Sequence, residues 1–354
     1  MLIFRLYLLA TYSFSILSLF NLNKVEAAEI KDIEGKSYLF SKKINELYTE
    51  ATALAQWKMR LDSGSLSITQ SPIQKEDGFY LPLSSFVPHI FSEFFEKKFR
   101  GPNCYNTALV SQGVLKQLTF TSQNEIIFYL NHLFEPIHPF QALQPGDMGV
   151  IFQPSRFNPD IAEIYPKRLR PEEKQPVHAF TYISKDLIFE KAGSKDFHPI
   201  HFDSYHGVTQ DDYEIHRFST WIVFYRRIPG KSIESFTSSP AEAALFRNFM
   251  DQIEVAAHSI HLAEDTDDEG KKIQEFLTLL NSVLAQVETG TIHTRDLIQA
   301  LLHRIESVSL DQELWATHPA DLKEQRFLHH VKRIFQKMKN EYQISSENHL
   351  NLID

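Results

Sequence analysis

The period of the hydrophobic pattern changes twice along this chain of 354 residues, and those changes limit the folds open to it. From Lys36 to Leu61, the residues Leu39, Ile44, Leu47, Tyr48, Ala51, Leu54, Ala55 and Met59 recur at three- and four-residue steps. That spacing predicts a helix. The middle of the chain reads differently. Met148–Phe152 follows a Pro145-Gly146-Asp147 turn. Val177–Ile183 and Leu187–Lys191 flank a tight Ser184-Lys185-Asp186 turn, and Tyr213–Arg227 carries Trp221, Val223 and Tyr225 on one face. These short runs between turn residues predict strands. After Pro229-Gly230 the helical period returns over Ser238–Leu262, Glu269–Val287, Thr294–Ile305 and Leu322–Tyr342. Strands grouped in the middle and helices grouped at the ends predict an α+β fold rather than a pure bundle or a sandwich.

Between these blocks lie weaker signals. Pro72, Gly78, Pro82 and Pro88 break an extended patch, Ile90–Phe99 is aromatic-rich and reads as helix, and an apolar run begins at Cys104 and continues to Leu118. Ser122-Gln123-Asn124-Glu125 is a capping box and opens a helix to about Phe134. The proline-rich, charged stretch Gln153–Pro176 reads as a long loop holding a small basic patch of Lys167, Arg168 and Arg170. The expected organisation is an N-terminal helix over 36–64, a mixed helix-and-sheet domain over 65–232 and a helical domain over 235–345.

The first residues, MLIFRLYLLATYSFSILSLF, place one arginine ahead of an apolar stretch too short for a spanning helix. Val25-Glu26-Ala27 supplies small residues at a cleavage position. The reading is a signal peptide over 1–27 and an exported protein, periplasmic or extracellular, not held in the membrane once the segment is removed. A net charge of -9 supplies no footprint for nucleic acid.

The chain has one cysteine, Cys104, which excludes an intramolecular disulfide, a four-cysteine zinc ribbon and a thioredoxin-type pair. Its surroundings, Arg100-Gly101-Pro102-Asn103-Cys104-Tyr105-Asn106, put a turn and a good N-cap directly before it. A cysteine in the first turn of a helix meets unpaired N–H groups and the positive end of the dipole, which favour a thiolate. Such a nucleophile needs a base, and the base needs an orienting group. His178 opens one arm of the predicted hairpin and Glu190 lies twelve residues further on the other, so antiparallel pairing can bring them together on one face. Asp196 and Asp203 are next in line if Glu190 faces solvent. Asp147 reads as a structural turn residue. His198, His201, His206 and His216 cluster after the hairpin, and His258 and His261 lie one helical turn apart without the glutamate of a metallopeptidase pattern; these read as surface or satisfied histidines, and no metal or cofactor is expected.

The segments GPNCYNTALV, LQPGDMGVIF and HAFTYISKDLIFEKAG, together spanning roughly residues 100–193, resemble the NlpC-type cysteine peptidases of the papain-like superfamily. That resemblance implies a nucleophile helix packed on an antiparallel sheet. It implies Cys104 as nucleophile, His178 as base and Glu190 as the orienting residue. It also implies cleavage of an amide or peptide bond in bacterial cell-wall peptidoglycan, or in another amide-containing envelope substrate. Two other readings use the same residues. One is an acyltransferase or transglutaminase-like enzyme, since His178-Ala179-Phe180 is similar to a His-Ala-Trp motif there. The other is a non-catalytic envelope binding module that keeps the fold. The C-terminal helices offer a surface for a protein partner.

Overall fold

The computed structural model describes residues 28–62, 71–99, 101–138, 141–154, 174–193, 199–205, 221–262, 268–315 and Arg333. The expected signal segment, the basic patch at 167–170, Asp196, His198, His206, His216 and all of the expected helix over 322–342 except Arg333 lie outside these residues.

The chain opens with strands β1 (Glu29–Ile33) and β2 (Lys36–Ser41), then helix α1 (Ile44–Asp62). Strands β3 (Ile73–Lys75) and β4 (Gly78–Pro82) follow, then a 3-10 turn over Leu83–Phe86 and the single turn α2 (His89–Ser92). Helix α3 (Cys104–Ser111) and helix α4 (Gln123–Leu133) lead to β5 (Phe134–Pro136), β6 (Met148–Pro154), β7 (Lys174–Tyr182), β8 (Leu187–Lys191), β9 (Ile200–Ser204) and β10 (Trp221–Arg227). The last three helices are α5 (Pro240–Leu262), α6 (Glu269–Glu288) and α7 (Arg295–Trp315). The fold is mixed helix and antiparallel sheet, the α+β class expected. No helix among the described residues is long and apolar enough to cross a membrane.

Two antiparallel sheets form. The smaller has the order β1-β2-β4-β3 and the larger β5-β10-β6-β7-β8-β9. The β7–β8 hairpin turns over Ser184–Asp186 as the sequence indicates. The Pro145-Gly146-Asp147 turn places Gly146 at φ +91°, and the Asp147 carboxylate accepts from Arg226 Nε at 2.9 Å and Nη2 at 2.7 Å. Asp147 therefore ties the start of β6 to the end of β10. One glycine is fixed by packing: a Cβ on Gly149 would lie 2.3 Å from the Phe180 ring.

Three expectations are corrected. Lys36–Ser41 is a strand, because Tyr38, Leu39 and Phe40 pair with both β1 and β4, and α1 begins only at Ile44. Leu39 fits the helical spacing by coincidence. Ile90–Phe99 holds no more than one helical turn. Phe95 bridges Ile200, Glu96 N–H donates to the Ile200 carbonyl and Glu96 takes φ 58°, so an edge-strand contact ends the helix. The expected loop over 153–176 yields its ends to strands, since Gln153–Pro154 and Lys174–Pro176 lengthen β6 and β7. Strand β9 has no counterpart in the sequence reading.

A contiguous apolar core runs from Leu39 to Val308, so the C-terminal helices share it with the sheet. Trp57 of α1 packs on Phe189 and Phe202 with ring centroids 4.7 and 5.9 Å apart. Each such buried aromatic contributes about 1.5–3 kcal/mol. The opposite face of the sheet buries Ile151, Phe180 and Ile188 under Val177, Ile222 and Phe224. Helix α3 crosses β7 and β8. Ala179 on β7, fully buried, lets helix and sheet approach closely.

Polar contacts tie α5 and α7 to the loop between α3 and α4. Glu254 accepts from the Lys116 and Gln117 N–H groups at 2.6 and 2.9 Å. His258 Nδ1 donates to the Leu118 carbonyl at 3.0 Å, and Arg304 donates to that of Phe120. Ser122 N–H donates to Ser307 Oγ at 2.8 Å, and Ser307 in turn donates to Glu125 at 2.5 Å.

Candidate active site

Cys104 is the first residue of α3, and the cap is built as its sequence implies. Asn103 has extended backbone geometry, and its side-chain oxygen accepts the Asn106 N–H at 3.1 Å. Its carbonyl accepts the Thr107 N–H. The N–H groups of Cys104 and Tyr105 precede these bonds and belong to the donors a helix start leaves without an intrahelical partner.

The cap is locked from behind. Asn103 Nδ2 donates to the Thr121 carbonyl at 2.7 Å, and Asn106 Oδ1 accepts the Thr119 N–H at 3.0 Å. Both asparagines are buried. The sequence reading gave Asn103 a capping role only and Asn106 none. Two asparagines three residues apart on one helical turn were the available signal.

His178 lies on β7 beside an irregularity. Ile151 pairs His178, but the next residue, Phe152, pairs Pro176, so Val177 is an extra residue in the ladder. Such a bulge bends a strand and redirects its side chains. Tyr105 Oη and Gln123 Nε2 both donate to the Pro176 carbonyl, at 2.6 and 3.0 Å, and hold the bulged segment against α3 and α4. The structure thus brings strand and nucleophile helix together just before His178.

His178 Nε2 is hydrogen-bonded to Glu190 Oε2. The β7–β8 register sets Thr181 opposite Phe189, which places Glu190 diagonally across from His178 on the same face. Nδ1 is the nitrogen that remains for Cys104. Burial works against the charged imidazole, yet the Glu190 carboxylate and then Cys104 outweigh it and hold the His178 pKa well above the ordinary histidine value. The three residues expected from the sequence therefore form one cluster. Cys104 is 5% exposed, and the side chains of His178 and Glu190 are 12% and 3% exposed.

A second histidine stands on the far side of Glu190. His201 on β9 pairs with Glu190 in the ladder, and its Nε2 lies 3.9 Å from Glu190 Oε1 and 3.7 Å from Asp203 Oδ2. Its Nδ1 donates to the Pro199 carbonyl at 2.9 Å. Burial lowers the His201 pKa, but the Asp203 and Glu190 carboxylates outweigh it, and the pKa is raised. Asp203 is thus a neighbour of His201 rather than the partner of His178. The sequence reading passed over His201 as an ordinary histidine. The signal was the alternation Ile200-His201-Phe202-Asp203, which puts two apolar residues on one face of a strand and two polar residues on the other.

The chain matches no family model. It likewise matches no curated protein and no solved structure. The functional reading therefore rests on the residues themselves. A helix-borne thiol, a strand-borne imidazole and a buried carboxylate in sequence can carry out acyl transfer through a covalent thioester.

Proposed function

We propose that this protein is an exported cysteine hydrolase that cleaves an amide or peptide bond through Cys104, His178 and Glu190. The observation that carries the reading is the placement of His178, with Glu190 on Nε2 and Cys104 on the other side of the ring.

In the proposed mechanism the Sγ proton passes to His178, and the imidazolium is held by the Glu190 carboxylate. Sγ attacks the substrate carbonyl carbon, the C–S bond forms and the carbonyl π pair moves to oxygen. The Cys104 and Tyr105 N–H groups at the start of α3 are the donors nearest to receive that oxyanion. The C–N bond then breaks as His178 returns its proton to the leaving nitrogen. Water attacks the thioester, His178 takes its proton and the C–S bond breaks, releasing the carboxylic acid and restoring the thiol.

The resemblance to NlpC-type, papain-like peptidases gives the substrate class: a peptide or amide bond of cell-wall peptidoglycan. The order of parts fits that architecture, with a cysteine opening a helix that crosses two strands carrying the histidine and the third residue. The test is incubation of residues 28–354 with purified peptidoglycan and mass spectrometry of the fragments, beside Cys104→Ser. New termini at one type of bond, absent with the variant, support the reading. Fragments joined to an added amine instead favour an acyltransferase. An unreactive Cys104 toward iodoacetamide at pH 6, with no fragments, favours the binding module.

A further inference from the structure

On the side of Glu190 away from His178, the side chains of His201 and Asp203 converge on it. Glu190, His201 and Asp203 each offer one ligand atom, and the three atoms lie within 4.8 Å of one another. The separations from His201 Nε2, 3.9 and 3.7 Å, exceed hydrogen-bond reach. Two donors across a tetrahedral zinc ion with bonds of about 2.0–2.1 Å stand roughly 3.3 Å apart, so each carboxylate would have to approach His201 by about 0.5 Å.

Two further features point to a cation. His201 donates its Nδ1–H to the Pro199 carbonyl at 2.9 Å, which leaves Nε2 facing the two carboxylates, where a bound cation would take the place of the Nε2 proton. A backbone carbonyl on the remote nitrogen is the usual support of a metal-binding imidazole. Glu190 is buried, its Oε2 is engaged by His178, and its Oε1 lies 3.9 Å from His201 Nε2.

We propose that Glu190, His201 and Asp203 form a binding site for a divalent transition-metal cation of the zinc class, which restrains the cysteine chemistry by sharing Glu190. One imidazole and two carboxylates suit zinc better than magnesium or calcium, which prefer all-oxygen sites. The cation on Oε1 draws charge from the carboxylate whose other oxygen holds the His178 imidazolium. The ion pair with Cys104 is weakened without any loss of a triad residue. The effect on activity rests on the proposed hydrolase reading, but the site itself does not.

The two are tested separately. Zinc titration by calorimetry, and the visible absorption of cobalt(II), are read on Cys104→Ala, where no thiolate is left to bind metal. One zinc per chain is expected, with affinity falling at least tenfold in the double variants that add His201→Ala or Asp203→Asn. Absence of binding, or binding unaffected by both changes, overturns the site. Two variants guard against a misfolded one, and circular dichroism checks each. In the chain that keeps Cys104, zinc should slow iodoacetamide alkylation several-fold at pH 7, and chelation should reverse it. If zinc slows alkylation by the same ratio in His201→Ala, it acts on the thiolate directly and the regulatory claim falls. A chain that binds zinc in this way but cleaves no amide would leave the site standing and remove only the hydrolase reading.

Discussion

Two buried glutamates, Glu190 on β8 and Glu125 on α4, show how far surroundings decide what a carboxylate does. Glu190 has a histidine at each oxygen, one of them partly open to solvent, and the other meets the single thiol of the chain. Glu125 is sealed between α4 and α7, with Ser307 Oγ at 2.5 Å and the fully buried Arg304 guanidinium at 3.3 Å. Burial pushes the Glu125 pKa up to about 7 despite the opposing Arg304 charge and Ser307 hydrogen bond. The first carboxylate has partners that can exchange a proton or a cation with the outside. The second has partners that only join two helices. Burial alone does not mark a functional group; what distinguishes Glu190 is a titratable partner that in turn touches a nucleophile.

That comparison predicts a clean division of effects. The largest belongs to Cys104→Ser. Turnover on a confirmed substrate should fall by a factor of roughly 1,000 or more, since a serine hydroxyl is a far weaker nucleophile at the same place. The urea midpoint should hardly move, because the two side chains are close in size. Wild-type turnover in this variant would remove Cys104 from the mechanism.

Glu190→Gln comes next. It keeps an acceptor for His178 but loses the charge that stabilises the imidazolium, so turnover should drop by about 100-fold. Alkylation of Cys104 at pH 6 should slow in parallel while KM stays close to its original value. A rate unchanged in both assays would reduce Glu190 to a packing residue like Glu125.

Glu125→Gln should do the reverse. Between pH 4.5 and about 7 the folded chain holds a proton on Glu125 that the unfolded chain has released. This group therefore lowers stability as pH rises through that window, by at most ~3 kcal/mol. The Gln variant lacks that loss, so its urea midpoint relative to the wild type should be higher at pH 8 than at pH 5, with the alkylation rate unchanged. A pH-independent difference would show that Arg304 keeps Glu125 ionised throughout.

The smallest effect is that of Asn103→Ala. Losing the cap costs about 1 kcal/mol. It also releases the start of α3 from Thr121 in the α3–α4 loop, so the alkylation rate should fall modestly along with the urea midpoint. A loss in stability with no change in rate would place the cap on the structural side of the division.

Much of this architecture was readable from the sequence where its causes are local. The β7–β8 hairpin follows from two apolar runs around Ser184-Lys185-Asp186. The α4 start follows from its capping box, seen as Ser122 Oγ accepting the Glu125 N–H. The three site residues were found because each belongs to a local pattern: a capped cysteine, a strand-opening histidine and a carboxylate twelve residues later across a hairpin. The misreadings have a shared cause. Lys36–Ser41 is a strand because of β1 and β4, and the stretch from Phe95 leaves the helix because it meets β9, whose residues lie about a hundred positions away.

The sequence by itself determined the class of fold and the candidates for the chemistry, because periodicity, caps and turns act over a few residues. Only the tertiary structure decided which groups meet. The bulge at Val177, the Tyr105 and Gln123 bonds to Pro176, the clamp of Thr119 and Thr121 on two asparagines, and the position of His201 behind Glu190 are all pairings between distant segments. So is the seam where Arg304 meets Glu125. Such contacts form when segments far apart in the chain bury a common core, and their register is set by packing that no local pattern encodes.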